Sequence, residues 1–190
     1  MQRILTLALL LIVFGSLVPN SVFATTPKAA PQQLGAYTVF LPLVIGGQGQ
    51  ATSSHDSTVL EAQVLTAVNT IRQANGCPAL TLAPELSAAA RQHSYDMAYN
   101  DFYAHSGSDG SDAASRTEQA GYYWLSMAEN IAVGQDTVDG VVQLWMNSPS
   151  HRAAILDCRM RETGVGFVYL ENDPGTVTWH SYWTQLFGTR

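Results

Sequence analysis

The chain has 190 residues, of which 46% are hydrophobic and 13% charged, and its formal net charge is −6. This length is sufficient for one domain with a full hydrophobic core. A mildly acidic chain without a run of basic residues is a poor candidate for binding nucleic acid or an anionic membrane surface.

Residues 1–24 are typical of a secretory signal peptide. Arg3 precedes an almost wholly apolar run from Ile4 to Val18, and Val22-Phe23-Ala24 supplies a small-x-small cleavage signal. The apolar run is short for a membrane-spanning helix, although an uncleaved anchor is the alternative. We therefore expect a secreted, extracellular protein that has no transmembrane segment after cleavage.

Residues 25–56 are predicted to form a flexible linker. The stretch 25–34 is rich in Pro, Ala and Gln, and the stretch 46–54 is rich in Gly, Ser and Gln. Between them, Tyr37 to Ile45 is apolar and β-prone but is interrupted by Pro42. This segment fits an edge strand, a contact with the cell envelope or a non-specifically adhesive stretch, and the sequence favours none of the three.

The remaining residues, 57–190, are predicted to form the globular domain, which begins with helices. Thr58 to Glu61 fits a capping box for a first helix that ends at Asn75-Gly76. Pro84 suits the first turn of a second helix, which frays near Asn100. Three shorter helices are predicted over 112–120, from 137 to about 145, and from 149 through 156.

The C-terminal part changes to the period of β-strands. Val165–Tyr169 and Val177–Phe187 are rich in β-branched and aromatic residues, and Glu171–Gly175 between them has good turn chemistry. A series of helices followed by a terminal antiparallel hairpin predicts an α+β fold in which helices cover a sheet.

The chain has two cysteines, Cys77 and Cys158. In the oxidising compartment that the signal peptide implies, a disulfide between them is the expected state. On the chain-entropy model, closing a loop of about eighty residues would stabilise the fold by roughly 4 kcal/mol. Two free buried thiols are the alternative.

Three residues stand out as candidates for chemistry: His105, Glu129 and His151. His105 opens the polar loop 106–111, Glu129 precedes an apolar run, and His151 lies in the first turn of the last predicted helix. The helix N-terminus should lower the pKa of His151 and favour its neutral form. Two imidazoles and one carboxylate are a plausible ligand set for Zn²⁺, although their long spacing lacks the regularity of a helical His-Glu-x-x-His site.

Each candidate also has a purely structural explanation. Glu129 could accept hydrogen bonds from unpaired amides or pair with Arg152, and the two histidines could be ordinary loop and helix-turn residues. Of the other histidines, His93 is expected in or near the core and His180 within the terminal strand. No Gly-x-Ser-x-Gly motif is present, which argues against an α/β-hydrolase.

Five blocks of sequence carry a resemblance to a known family. They are Ala104-His105-Ser106, Ala128 to Ala132, Trp145 to Leu156, Gly164-Val165-Gly166 and Tyr182 to Gly188. In this order the blocks resemble the CAP superfamily of cysteine-rich secretory proteins, antigen 5 and plant pathogenesis-related proteins, and specifically its bacterial SCP-like branch. The resemblance covers the domain from about Leu60 onward.

The resemblance implies an α-β-α sandwich with a central antiparallel sheet flanked by helices, and a large surface cleft. Eukaryotic members line this cleft with two histidines and two glutamates that can take a divalent cation such as Zn²⁺ or Mg²⁺. His105 and Glu129 match the first histidine and the first glutamate. Ser148 and Tyr182 occupy the places of the other two, and His151 could return an imidazole to the same cleft.

Two functions follow from the resemblance. The first is a binding or effector module, expected to be monomeric, for a small apolar ligand, such as a lipid or sterol, or for a component of the cell envelope or host surface. Its ligand-binding residues would be His105, Glu129, His151, Ser148 and Tyr182, with His105 and His151 as metal ligands. The alternative is a metal-assisted hydrolase with Glu129 as general base. The binding module is favoured because the sequence has no evident nucleophile or oxyanion donor.

Overall fold

The computed structural model describes residues 55–190, so the predicted signal peptide and nearly all of the predicted linker lie outside the described residues. The described part contains five helices and four strands. In chain order these elements are α1 (Ser57–Ala74), β1 (Thr81–Leu82), α2 (Pro84–Tyr99), α3 (Ala113–Gln119), β2 (Ser126–Val133), α4 (Val138–Asn147), α5 (Pro149–Ile155), β3 (Glu162–Tyr169) and β4 (Ser181–Thr189). Among residues 55–190, no helix is long and apolar enough to cross a membrane.

The strands form one sheet in the order β1-β3-β4-β2. β4 pairs antiparallel with both β3 and β2, whereas the two residues of β1 pair parallel with the start of β3. The predicted α+β class is therefore confirmed, and the predicted antiparallel sheet carries one short parallel addition. β2 is an edge strand, and this position is important for the site.

Helix α2 covers one face of the sheet at very close range. A Cβ atom added at Gly164 or Gly166 would collide with the main chain of α2, so two glycines in β3 allow the helix to lie directly on the strand. Ser94 of α2 donates a buried hydrogen bond of 3.0 Å to the carbonyl of Gly166. The interface is thus fixed by main-chain proximity as well as by apolar packing.

The opposite face of the sheet packs against α1, α4 and α5. Its core contains Trp145 from α4, Val68 from α1 and Ile155 from α5, which surround Trp183 and Phe187 of β4. All five side chains are fully or almost fully buried. Helices on both faces of one sheet make the α-β-α sandwich that the family resemblance implied.

The predicted helices are present, but the start of α1 differs from the prediction. Asp56, rather than a Thr58–Glu61 box, caps the helix by accepting hydrogen bonds from the amides of Thr58 and Val59. Glu61 is instead buried and accepts bonds from Arg91 and from the amide of Phe167, at 3.0 and 3.1 Å. The carboxylate serves a long-range contact to β3.

Two further predictions were wrong in detail. The last strand begins at Ser181 and not at Val177, because His180 adopts a left-handed conformation with φ of 61° and interrupts an extended chain. His180 therefore precedes the strand instead of lying within it. Strand β2 was not predicted at all, although it carries Glu129.

The predicted disulfide between Cys77 and Cys158 is confirmed, with a Cα–Cα distance of 4.8 Å. Beside it, the fully buried guanidinium of Arg72 donates hydrogen bonds to the carbonyls of Pro78, Ile155, Asp157 and Met160. The bridge and the arginine together join the end of α1 to the segment that follows α5.

Candidate functional site

The centre of the site is the carboxylate of Glu129 on the edge strand β2. Its side chain is only 3% exposed, and each of its oxygens accepts a hydrogen bond. Oε1 accepts from Nδ1 of His105 and Oε2 accepts from Nη2 of Arg116, both at 2.8 Å. The alternative partner suggested by the sequence, Arg152, is not the one that the structure brings to Glu129.

Arg116 is a site residue that the sequence analysis missed. It lies in the short helix α3, its side chain is 3% exposed, and it also donates to the carbonyls of His105 and Ser111 at 2.9 and 3.0 Å. Its partners precede it or follow it by up to thirteen residues, so no local pattern pointed to it. The only signal in the sequence was a lone arginine in a helix of small and polar residues.

The polar loop 106–111 is held in place by its own hydrogen bonds. Asp96 of α2 accepts from the amide of Ser108 at 2.8 Å, and the amide of Gly107 donates to the carbonyl of Ser111 at 2.8 Å. A capping box between Asp112 and Ser115 then begins α3. The loop therefore presents His105 and Arg116 to Glu129 in a defined geometry.

His105 combines an exposed ring with a buried anchor. Its side chain is 58% exposed. Its pKa is raised, first because the Glu129 carboxylate accepts a hydrogen bond from the ring and further because that carboxylate is negatively charged. A carboxylate can only accept, so Nδ1 carries the proton and Nε2 is left as the ring atom available to a ligand.

His151 lies in the first turn of α5, as the sequence predicted. Its pKa is lowered, mainly because burial disfavours the charged ring and also because of the charge on His105. The expected direction is reproduced, although burial and not the helix N-terminus is the leading cause. The influence of His105 indicates that the two imidazoles lie close enough to interact electrostatically.

The main chain of His151 is tied directly to β2. Asn130 donates a hydrogen bond of 3.2 Å from its side-chain amide to the carbonyl of His151. The Nδ1 atom of the His151 ring is buried without a hydrogen-bond partner among the described residues. Neighbouring residues of β2 thus hold the two histidines, Glu129 holding His105 and Asn130 holding His151.

The remaining predicted ligand-binding residues differ in their positions. Ser148 begins α5, and its hydroxyl lies 3.2 Å from that of Ser150 and makes no capping bond to the helix. Tyr182 is fully buried, and its hydroxyl donates to Asp173 at 2.6 Å. The expectation that Tyr182 lines the cleft must be corrected, because the side chain lies in the core, where the carboxylate of Asp173 satisfies its only polar atom.

The side chains around Glu129 do not suit the expected Zn²⁺ or Mg²⁺. Within residues 55–190, no group of three or more His, Cys, Asp or Glu side chains is placed so that it could hold a metal ion. Both oxygens of Glu129 are engaged, and the guanidinium of Arg116 supplies a positive charge where a cation would need to approach. In this arrangement the donor set does not fit a metal centre built from His105, Glu129 and His151.

Comparison with known proteins identifies the family. Residues 65–187 match the model of the cysteine-rich secretory protein family, called CAP. The chain belongs to the CAP family. A Bacillus subtilis (strain 168) relative, the protein YkwD, is 32% identical over 164 residues, which are 86% of this chain. This chain spans 60% of the length of that relative. A second B. subtilis protein, the membrane protein YlbC, is 30% identical over 109 residues, and this chain spans 32% of its length.

Solved structures support the CAP fold. An extracellular protein of Bacillus anthracis that contains an SCP domain superposes with a TM-score of 0.63 at 23% identity, over 75% of this chain and 45% of that one. An outer surface protein of Borrelia burgdorferi gives a TM-score of 0.61 at 19% identity, over 68% and 91% of the two chains. At these sequence identities the similarity shows the fold alone.

Proposed function

We propose that this CAP-family chain is a secreted binding or effector module whose ligand enters the cleft between His105 and His151. The ligand classes are a small apolar molecule with a polar head, such as a lipid or sterol, or a component of the cell envelope or host surface. Secretion rests on the N-terminal sequence and on the extracellular description of the B. anthracis structure. The proposal on binding rests on how the charges of the cleft are arranged.

The observation that carries the proposal is the double engagement of Glu129. A buried carboxylate that accepts from both Arg116 and His105 is neutralised and fixed, so it orients the His105 ring and is not free to react. His105 thereby presents Nε2 to solvent in a defined direction. Together with the uncharged ring of His151, it offers hydrogen bonds to the polar head of a ligand without requiring a second charge.

The test is ligand extraction by the full secreted chain. Vesicles that contain labelled cholesterol or palmitate supply the probes, and the ring resonances of His105 and His151 report on binding. We expect His105→Ala to weaken binding at least several-fold. His55→Ala, which removes an imidazole stacked on Tyr169, is the matched control and should bind normally. Equal binding by His105→Ala and His55→Ala, or no response of either cleft ring to any probe, would reject the proposal.

The alternative function is hydrolysis, and one observation supports it. The pairing of an exposed imidazole with a buried carboxylate is the arrangement that orients a general base, and it assigns this role to His105 and not to Glu129. Among residues 55–190, however, no Ser, Thr or Cys side chain is hydrogen-bonded to the His105 ring to serve as nucleophile. On a panel of peptides and esters we expect the wild-type chain to hydrolyse no substrate faster than the His105→Ala variant does. Hydrolysis by the wild type that His105→Ala abolishes would favour the hydrolase.

A further inference from the structure

The outer edge of β2 leaves main-chain groups of the sheet unpaired. The amide of Gly134 donates to the carbonyl of Ser181, which places the even-numbered residues of β2 towards β4. In an antiparallel pair the residues between them direct both N–H and C=O away from the partner strand. The outward row therefore consists of Met127, Glu129, Ile131 and Val133.

Part of this edge is closed and part is open. The carbonyl of Ile131 accepts hydrogen bonds from the hydroxyl of Tyr103 and the indole of Trp145, at 3.2 and 3.1 Å. Within residues 55–190, the outward groups of Met127 and Glu129 have no such partner. Glu129 is half-buried as a residue although its side chain is 3% exposed, so its contact with solvent is made by its main chain.

The two sides of the open edge differ in charge. The side chains of Glu129 and Asn130 leave the sheet on opposite faces, so His105 flanks one face and His151 the other. The pKa of His105 is raised whereas that of His151 is lowered. An added strand would therefore meet, on the His105 side, an imidazole whose pKa is raised by its carboxylate partner and, on the other side, an imidazole whose pKa is lowered by burial.

We propose that the edge from Met127 to Glu129 binds an extended peptide of another protein by strand addition, with an acidic residue opposite Glu129. That residue would accept from the Glu129 amide and donate to the Glu129 carbonyl, and its side chain would lie on the His105 face. The capped carbonyl of Ile131 limits the pairing to a short stretch. This inference rests on the proposed binding function of the same cleft and names the class of its partner.

Charge favours a foreign acidic peptide over the other two possible occupants. The apolar stretch from Tyr37 to Ile45 of this chain is β-prone, but it contains no acidic residue to meet His105. A second copy of the chain pairing through its own β2 would place Glu129 near Glu129, and both carboxylates are already engaged. The chain's own segment or a second copy would cover the edge before any peptide is added. An experiment on the chain alone therefore distinguishes these two occupants from a foreign peptide.

The probe is the peptide acetyl-Thr-Val-Glu-Val-Thr-amide, added at millimolar concentration to the full chain. We expect its addition to shift the amide resonances of Met127 and Glu129. N-methylation of the peptide at its central Glu should weaken binding about tenfold, because it removes one ladder hydrogen bond and introduces a clash. N-methylation at a neighbouring Val, whose N–H points to solvent, is the matched control and should change affinity less than about twofold.

Substitutions in the protein give an independent readout. Met127→Pro removes an outward N–H, which an edge strand tolerates, and should weaken peptide binding, whereas Met127→Leu should not. Replacing the peptide Glu by Gln should weaken binding in wild type and have no effect in His105→Gln. Equal effects of the two N-methylated peptides, or no amide shifts at Met127 and Glu129, would overturn the inference.

The same samples separate this inference from the proposed function. If the Glu129 amide is protected from hydrogen exchange in the chain alone, its own segment or a second copy occupies the edge and the foreign peptide is rejected. If the peptide fails while the rings of His105 and His151 still respond to vesicle lipid, the inference fails and the binding function stands. If neither probe produces a response, both fail.

Discussion

The buried pair between Arg116 and Glu129 should contribute strongly to stability, and Arg116→Met tests this. Both side chains are 3% exposed, so the substitution leaves a buried carboxylate with only His105 as its partner. Removing one member of a buried pair typically destabilises a protein by about 3–5 kcal/mol. The carbonyls of His105 and Ser111 also lose a donor. We therefore expect the free energy of unfolding to fall by about 3 kcal/mol or more.

Urea denaturation of the full chain measures this loss, and Arg159→Met is the matched control. Arg159 pairs with Asp157 at 2.7 Å, but its side chain is 79% exposed. An exposed pair contributes about 0–1 kcal/mol, so the control should remain close to wild type. The double variant Arg116→Met/Glu129→Gln removes both charges and should recover much of the lost stability, which yields a coupling energy of at least about 2 kcal/mol.

The pKa of His105 provides a readout that a purely structural role would not move. The positive charge of Arg116 lowers this pKa, so it should rise further in Arg116→Met, whereas Glu129→Gln should lower it by removing the carboxylate. Titration of the ring by NMR measures both shifts. A loss of stability below about 1 kcal/mol, or a His105 pKa that falls in Arg116→Met, would refute the arrangement of charges described above.

Three further predictions follow from the fold. Replacing Cys77 and Cys158 together by Ser should lower the free energy of unfolding by roughly 4 kcal/mol, measured in urea without reductant, and an unchanged midpoint would contradict the bridge. Burial lowers the folded-state pKa of His93, so the stability that its neutral ring contributes should be complete above about pH 6.5 and lost as the pH falls below that value. A pH series comparing wild type with His93→Gln tests this, and parallel curves below that pH would argue against it. Gly166→Ala should destabilise the chain by more than about 2 kcal/mol because the new Cβ collides with α2, whereas Gly76→Ala, with open space and φ of 77°, should lose only about 1 kcal/mol. Equal losses in thermal unfolding would show that α2 does not lie on β3 as closely as described.

Features set by neighbouring residues were the ones that the sequence predicted well. Pro84 begins α2, Asn75-Gly76 ends α1, and the segment Ser148-Pro149 begins α5 because each depends on a few adjacent residues. The ordered motifs then indicated the family and the three-layer architecture. The pairing of Cys77 with Cys158 followed because the chain has no other cysteine.

Features set by distant contacts were not predictable in this way. β2 lacks a clear alternation of apolar and polar residues because Glu129 and Asn130 are both committed to long-range hydrogen bonds, which hid the strand. Glu61 matched a local capping pattern but is buried against β3. Arg116 has no motif at all, and without it one oxygen of the Glu129 carboxylate would lack the partner that it has in the structure. Tyr182 is buried because helices cover both faces of β4, which the residues beside it in the sequence did not reveal.

The adjacency of Glu129 and Asn130 has a mechanical consequence. One residue is linked to the side of the sheet that α2 covers and the next to the side that α5 covers, so a single peptide unit of an edge strand connects both layers. A ligand that contacts His105 and His151 together would fasten the two helical layers to each other across this strand. Binding would then resist sliding of the helices over the sheet and would stabilise the whole folded domain.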